Sequence, residues 1–458
     1  MEKQRKKSYP LWGRSMRICV IGLGYIGLPT ALLLSEHHDV FGCDINSELV
    51  EKVNQKCIPF CENGLEERLR TSSIKAFTHP VEADAFLICV PTPFDREVRM
   101  ADLRYVESAV ESIVPYLKTG NLVVIESTIS PGACEKVVCP ILQKSGLRVG
   151  KDIFLSHCPE RAIPGKTFDE MINNDRIVGG FDQKSTELTE RLYRSFVKGN
   201  IYKTSIRTAE FVKLMENTYR DVNIALANEL AILAEEAGVN VWEAIDLANK
   251  HPRVNIHAPG PGVGGHCIAI DPWFLTESTA NAKIIEMARE INDNMPSYIL
   301  HKARRIFEMH NITNPVVTIL GVAYKGNIDD TRETPALKLI KLCAKEGWKV
   351  KLSDPYVSRF EYPLLSLEDA TRDSDLIIIE TDHTYYCSLD AARLAELMRN
   401  RIVIDTKNIL DKSEFKENGF EIHTLGGNIS GTKNVLSKSG FQADDFEIRA
   451  LRGDIIEK

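Results

Sequence analysis

Arg17-Ile18-Cys19-Val20-Ile21-Gly22-Leu23-Gly24-Tyr25-Ile26-Gly27-Leu28-Pro29 decides the fold of this chain. Arg17 to Ile21 is a compact apolar run that reads as a buried strand. Gly22, Gly24 and Gly27 follow at once, and Thr30 to Glu36 reads as a helix. Asp39-Val40-Phe41-Gly42-Cys43 is then a second strand, ending at Asp44. A lone G-x-G-x-x-G is weak evidence. Strand, glycine motif, helix, strand and terminal acid in one short unit are far more specific. The glycines permit a tight turn and close approach of the backbone to a pyrophosphate. The helix start offers that anion unpaired N–H groups and the positive end of its dipole. Asp44 accepts hydrogen bonds from ribose hydroxyls and repels a 2′-phosphate, and Ile45 and Asn46 supply no arginine for one. The pattern predicts NAD rather than NADP, held by Gly22, Gly24, Tyr25, Ile26, Gly27 and Asp44.

Around this unit lies a chain of 458 residues, enough for two or three domains with substantial cores. Hydrophobic content of 43% and charged content of 26% are ordinary for a soluble globular protein. A formal net charge of -7 gives no ground for nucleic-acid binding. No apolar run approaches a membrane span, and Met1 to Ser15 is basic and polar without an apolar signal region. The 11 cysteines are scattered and form no CxxC pair. Cys57 and Cys61 stand four apart without a second ligand pair, so no metal site is expected. Reduced thiols in a cytoplasmic protein are the natural reading.

The chain continues with strands at Ala85–Val90, Leu122–Glu126 and Ile153–Ser156. Each ends in a polar or turn-forming cluster: Pro91-Thr92-Pro93, Ser127-Thr128, and His157 through Pro159-Glu160-Arg161. Ligands of parallel sheets bind beyond the strands' carboxyl ends, which makes Pro91, Thr92 and Thr128 candidates for a cofactor crevice. Turn chemistry alone also favours these residue types. Glu160 and Arg161 fit a surface ion pair, or a base beside an anion contact.

Residues 206–237 form the clearest helix, with Phe211, Leu214, Met215, Val222, Ala225, Leu226, Leu230, Leu233 and Ala234 at helical spacing and Gly238 as the stop. Its length suits a spine between domains or a dimer interface. Lys213 and Asn217, four apart, share one face. Further helices are expected at about 241–250 and 280–309. Between them runs Pro259-Gly260-Pro261-Gly262-Val263-Gly264-Gly265-His266-Cys267-Ile268-Ala269-Ile270-Asp271-Pro272. Glycine makes this loop permissive and proline braces it, which suits a positioned thiol. From Asn314 a second α/β unit begins, with strands at Val316–Leu320, Lys349–Leu352, Leu376–Ile379 and Ile402–Asp405. It lacks the glycine motif, and Lys325 and Arg332 suggest an anionic ligand bound otherwise. After about residue 433 the chain is polar, and loose order is expected there.

Together these pieces resemble the nucleotide-sugar 6-dehydrogenases, the family of UDP-glucose dehydrogenase. The motifs fall in the family's order: the glycine fingerprint, Glu126-Ser127-Thr128, Pro159-Glu160, Lys213 with Asn217, Gly264-Gly265-His266-Cys267 with Asp271, then Lys325 and Asp330-Thr331-Arg332. His266 and Ile270 depart from the UDP-glucose branch, which has serine and lysine there. Cys158-Pro159-Glu160-Arg161 and His251-Pro252-Arg253 are most similar to the branch that oxidises UDP-N-acetyl-D-mannosamine, with UDP-N-acetylglucosamine and UDP-glucose as alternatives and a silent binder of NAD and UDP-sugar as a remote one.

The resemblance implies an α/β fold of two Rossmann-like doubly wound domains joined by a long central helix. The expected limits are a basic tail at 1–15, an NAD-binding domain at 16–205, a central helical domain at 206–310, a UDP-sugar domain at 311–435 and a tail at 436–458. It also implies four-electron oxidation of C6 on a UDP-amino-sugar, with NAD as acceptor and Cys267 as nucleophile. Lys213 would lower the thiol's pKa and, with Asn217, stabilise oxyanions. Asp271 and Glu160 would handle protons, and Thr128 would position water. Arg332 would lie near the cofactor. Substrate contacts are expected from Glu160, Arg161, Lys213, Asn217, Arg220, His251, Arg253, His257, Gly264, Tyr324 and Lys325. A homodimer or higher homo-oligomer is the family expectation.

Overall fold

The structure is a computed structural model that describes residues 15–60, 62–95, 100–163, 165–265, 267–277, 279 and 281–427. The tails expected at 1–15 (apart from Ser15) and 436–458, the loose segment after 433, and His266 lie outside the described residues.

The first sheet is built from β1 (Arg17–Ile21), β2 (Asp39–Cys43), β3 (Lys75–Phe77), β4 (Ala85–Ile88), β7 (Leu122–Ile125), β8 (Phe154–His157), β9 (Arg176–Gly180) and β10 (Ile201–Ser205), while β5 (Phe94–Asp95) and β6 (Met100–Ala101) form a small separate hairpin. Its strand order is β10-β9-β8-β7-β4-β1-β2-β3. All neighbours pair in parallel except β8 with β9. Strands β4 and β7 are buried throughout, because apolar cores cover both faces of the sheet. The order reverses between β1 and β4, so the glycine loop and the loops after β4 and β7 open onto one crevice.

The second sheet contains β11 (Val316–Leu320), β12 (Lys349–Ser353), β13 (Leu376–Ile379), β14 (Ile402–Asp405) and β15 (Glu421–Thr424). All are parallel, in the order β12-β11-β13-β14-β15, with the reversal between β11 and β13. The four expected strands are observed here as short apolar runs bounded by polar turns, while β15 at the edge, Glu421-Ile422-His423-Thr424, is too polar to have been expected.

The long helix Ile206–Ala237 lies between the two sheets in sequence and packs on helix Lys283–Met309 and short helix Asp271–Thr276. Ser205 caps its start and Gly238, at φ +71°, ends it. The expected apolar seam is split. Leu214 and Ala225 face inward, but Phe211, Met215, Leu226 and Leu233 are each between 44% and 51% exposed. The buried face instead carries Glu210, Lys213, Asn217, Thr218, Asp221 and Asn228 among small alanines. Alanine at 209, 225, 227 and 231 lets neighbouring elements approach closely, and Glu210, Asn217, Asp221 and Asn228 find partners across the gap. The fingerprint helix starts at Gly27 rather than Thr30, since Pro29 is tolerated in a first turn.

Candidate active site

The fingerprint loop explains its three glycines by contact. Gly22 takes φ +90°, and a Cβ there would stand 2.6 Å from the Cys89 carbonyl oxygen. A Cβ on Gly27 would fall 1.8 Å from the Gly22 carbonyl oxygen, so helix and turn could not pack. A Cβ on Gly24 would meet nothing within 4 Å, which leaves that side of the loop open to a ligand. No side chain caps the helix that begins at Gly27, and no acid stands in its first turn. These features fit a dinucleotide pyrophosphate. Asp44 Oδ2 accepts from Leu23 N at 2.8 Å and Oδ1 from Asn46 N at 2.9 Å, which aims the carboxylate at the crevice edge. Thr92 is buried and Thr128 half-buried on neighbouring strand-end loops, with Pro91 exposed beside them. Ser127 Oγ donates to the Val90 carbonyl at 2.7 Å and ties the two loops together.

Cys267 stands immediately before the short helix Asp271–Thr276, and its carbonyl accepts from Asp271 N at 2.7 Å. Asp271 is thereby turned inward, where its Oδ2 accepts from Asn217 Nδ2 at 2.6 Å. Lys213, one turn before Asn217, is buried on the same helix face. Its charge acts on Cys267, Asp271 and His157 together. Burial lifts the Asp271 carboxyl to about 6, against the opposing pull of Lys213 and Asn217. Burial also keeps His157 neutral, pulled down to about 3.

One expectation needs correction here. The Cys267 thiol is raised, not lowered: desolvation on the cleft floor and the Asp271 charge outweigh Lys213 and Arg332. Its surface is nonetheless open to solvent, so a reagent or substrate reaches it. Both carboxylate oxygens of Glu160 have partners. Its Oε1 accepts from Arg161 N at 2.7 Å and Ala162 N at 2.8 Å, while Oε2 pairs with buried Arg176. Arg161 in turn is spent on Glu216, at 2.7 Å, and the Asp175 carbonyl. These two residues brace a loop against the long helix.

The sequence reading missed the group that holds Glu160. Glu126 accepts from Tyr193 OH, from Thr30 Oγ1 at 3.2 Å and from Cys89 Sγ at 3.0 Å. Arg176 lies 3.8 Å from Glu126 and stacks 4.7 Å above the Tyr193 ring. The fingerprint helix, the Thr128 loop and the Glu160 loop therefore share one buried ionic centre. An acid ending one apolar strand and an arginine opening another were its only traces in sequence.

The second sheet closes the site from the far side. Tyr324 packs on Gly264 and Gly265, where added Cβ atoms would stand 2.7 Å and 2.8 Å from its side chain. Gly265, at φ +83°, donates its N–H to the Arg332 carbonyl at 3.0 Å. Arg332 pairs with Asp330 at 2.6 Å and lies 5.1 Å over the Tyr25 ring of the fingerprint loop. Thus one loop touches both the cysteine segment and the glycine motif. The Arg220 charge acts on both Lys325 and His257, with Lys166, Glu170 and Asp382 also acting on Lys325; burial and Arg220 hold His257 below its ordinary value, so Lys325 and Arg220 carry the positive charge here. Tyr219 sets its ring edge-on to His257 at 6.2 Å. His251 and Arg253 are exposed on a turn, where Arg253 N donates to His251 Nδ1 at 3.3 Å. No cluster of metal-ligating side chains occurs among the described residues.

Family comparison covers most of the chain. The NAD binding domain model of the UDP-glucose/GDP-mannose dehydrogenase family matches residues 16–197, its central domain model 207–294 and its UDP binding domain model 318–412. A UDP-N-acetyl-D-mannosamine dehydrogenase of Methanocaldococcus jannaschii is 49% identical over 425 residues, covering 90% of this chain and 97% of that protein. An NDP-N-acetyl-D-galactosaminuronic acid dehydrogenase of Ralstonia solanacearum is 43% identical over 411 residues, covering 86% and 96%. Among solved structures, the UDP-D-ManNAc dehydrogenase of Pyrococcus horikoshii superposes with a TM-score of 0.85 at 43% identity, covering 90% of this chain and 99% of that one.

Proposed function

From the premise that this chain belongs to the UDP-glucose/GDP-mannose dehydrogenase family, we propose that it oxidises C6 of UDP-N-acetyl-D-mannosamine to the carboxylate through a thioester on Cys267. The observation that carries this reading is the convergence of a solvent-reachable thiol, a buried lysine, an asparagine and an acid held near 6 beside a dinucleotide crevice.

NAD, when bound to the first sheet, accepts one hydride from C6 in each of two oxidations. The chain's own residues do the rest. As the first hydride leaves C6, the hydroxyl proton passes to the water beside Thr128, and Lys213 and Asn217 stabilise the negative charge that develops on the oxygen. Asp271 takes the Cys267 proton and frees the thiolate, which adds to the aldehyde as a thiohemiacetal. The second oxidation leaves a thioester. Water held beside Thr128 adds to it, the C–S bond breaks, and the carboxylate leaves with Cys267 restored as the thiol. Capture on sulfur keeps a reactive aldehyde from escaping.

Lys325 and Arg220 supply positive charge for the diphosphate and neutral His257 a hydrogen-bonding ring, with Tyr324 and Gly264 shaping the adjoining floor. Arg332, stacked on Tyr25, belongs to the cofactor side. His251 and Arg253 are assigned to the substrate of a second subunit, because they are exposed in their own chain. We take the units as 16–205, 206–310 and 311–435, the chain as cytoplasmic, and the partner as a second copy. No helix among the described residues is long and apolar enough to cross a membrane. The exposed stripe Phe211, Met215, Tyr219, Leu226 and Leu233 supports the self-association.

The substrate assignment is tested by offering purified protein NAD with UDP-N-acetylmannosamine, UDP-N-acetylglucosamine, UDP-N-acetylgalactosamine and UDP-glucose in parallel. The manno sugar should give the highest kcat/KM. Preference for another sugar keeps the chemistry and overturns the epimer. No NADH with any sugar would favour a silent binder.

A further inference from the structure

Glu380 is an acid that the fold does not need. It directly follows Leu376-Ile377-Ile378-Ile379, all buried, at the carboxyl end of β13. That strand neighbours β11 at the point where the second sheet reverses its order. Its side chain is 4% exposed, and neither carboxylate oxygen has a hydrogen-bond partner among the described residues. Such a group stays neutral or needs a cation.

One cation acts on it, Lys407 from the loop after β14. Lys407 Nζ lies 3.2 Å from where a Cβ on Gly260 would stand, so it touches the loop that leads into Cys267. Gly260 N donates to Asn228 Oδ1 at 2.8 Å, which pins the loop from its other side. The other titratable group that feels Glu380 is Cys343 of helix Pro335–Lys345, pushed up to about 12, chiefly by burial, and so a neutral thiol. The Asp405 carboxylate nearby is occupied by the N–H groups of Lys407, Ile409 and Leu410.

We propose that Glu380 is a positioning residue that sets how much positive charge Lys407 presents to an anionic nucleotide-sugar seated against residues 258–264. This rests on the reading that the second sheet holds the UDP portion. Neutral Glu380 leaves the Lys407 charge uncompensated. Ionised Glu380 cancels that charge and draws Nζ away from the loop. Burial holds the carboxyl up to about 8, so the changeover falls within the working range of pH. Lower pH therefore favours substrate binding, and the KM for the sugar nucleotide rises as pH passes about 8.

The test measures kcat and both KM values from about pH 6.5 to 9.5. The sugar-nucleotide KM of the wild type should rise roughly tenfold through the upper half of that range. Glu380→Gln, neutral throughout, should keep the low value, with kcat and the KM for NAD following the wild type. A parallel rise in Glu380→Gln overturns the proposal, and so does a wild-type KM that is flat. If Glu380→Gln does not fold, Lys407→Met should show the high KM already at low pH and no step; a wild-type profile in that variant is contradictory. Calorimetric titration with UDP alone should give the same step in Kd. That step in a protein that oxidises no UDP-sugar would sink the functional reading and keep this one.

Discussion

Cys267 and Asp271 oppose each other in the resting site, and the opposition gives both a purpose. A thiol raised by burial and a neighbouring acid is protected from adventitious oxidation. An acid held near 6 is ionised at neutral pH and close enough in strength to take a proton. Replacing Cys267 with alanine should lower turnover at least about a thousandfold, while NAD binding followed by fluorescence stays near the wild-type value. The Asp271→Asn variant should lose about a hundredfold in kcat. Its pH profile is the sharper reading. Wild-type activity should climb as pH rises through about 6, where Asp271 ionises, and Asp271→Asn should lack that limb. Asp44 belongs to the same scale. Asp44→Ala should weaken NAD about tenfold and narrow its advantage over NADP, measured as the ratio of kcat/KM values. Unchanged cofactor preference would contradict the ribose assignment. Lys213, Asn217, Cys267 and Asp271 were legible in sequence because helical spacing and one short loop bring them together. The pairing of Glu160 with Arg176, 16 positions on, was not, since it depends on how two strands and a loop pack.

The long helix shows what periodicity conveys and what it leaves open. Its limits, Ile206 and Ala237, followed from helical spacing and Gly238, and the cap by Ser205 emerged with the structure. Which face turned inward did not follow. Leucine and methionine suggested the buried side, yet the inward side is polar and alanine-lined, and the large apolar residues lie outside. A helix that serves a catalytic site on one side and, on the proposed reading, a second copy on the other would carry such a double pattern. The charged substitutions Met215→Glu and Leu226→Glu, made together, should convert the protein to a monomer in sedimentation velocity. The same double variant should fold with an unchanged circular dichroism spectrum, because neither side chain is buried. A wild-type protein that sediments as a monomer would remove the proposed interface. The strand-end loops carry a related lesson: Glu126 and Glu380 each follow a fully buried apolar strand, and neither burial was evident from the residue type alone.

At the scale of the molecule, two sheets with the same reversal of strand order face a common cysteine loop. Asp44 and Asp354 even repeat one contact, each accepting from a backbone N–H just beyond its sheet's central strand, Leu23 at 2.8 Å and Val322 at 2.7 Å. The copies diverge beyond that point. In the second sheet His383 Nε2 lies 3.1 Å from Asp354 and Tyr356 stacks on His383 at 4.8 Å, so side chains fill the place that stays open beside Asp44. One sheet is thus left for a dinucleotide and the other for a different anion. Arg332 joins them, with its guanidinium over Tyr25 and its carbonyl on Gly265.

The central claim is that both oxidations occur in this one site, with the aldehyde held on Cys267. The most direct measurement is the number of NADH formed per UDP-N-acetylmannosamine consumed, with the aldehyde trapped by semicarbazide in a parallel reaction. The account predicts two NADH per sugar and no trapped aldehyde. One NADH per sugar, with aldehyde recovered in solution, would contradict it.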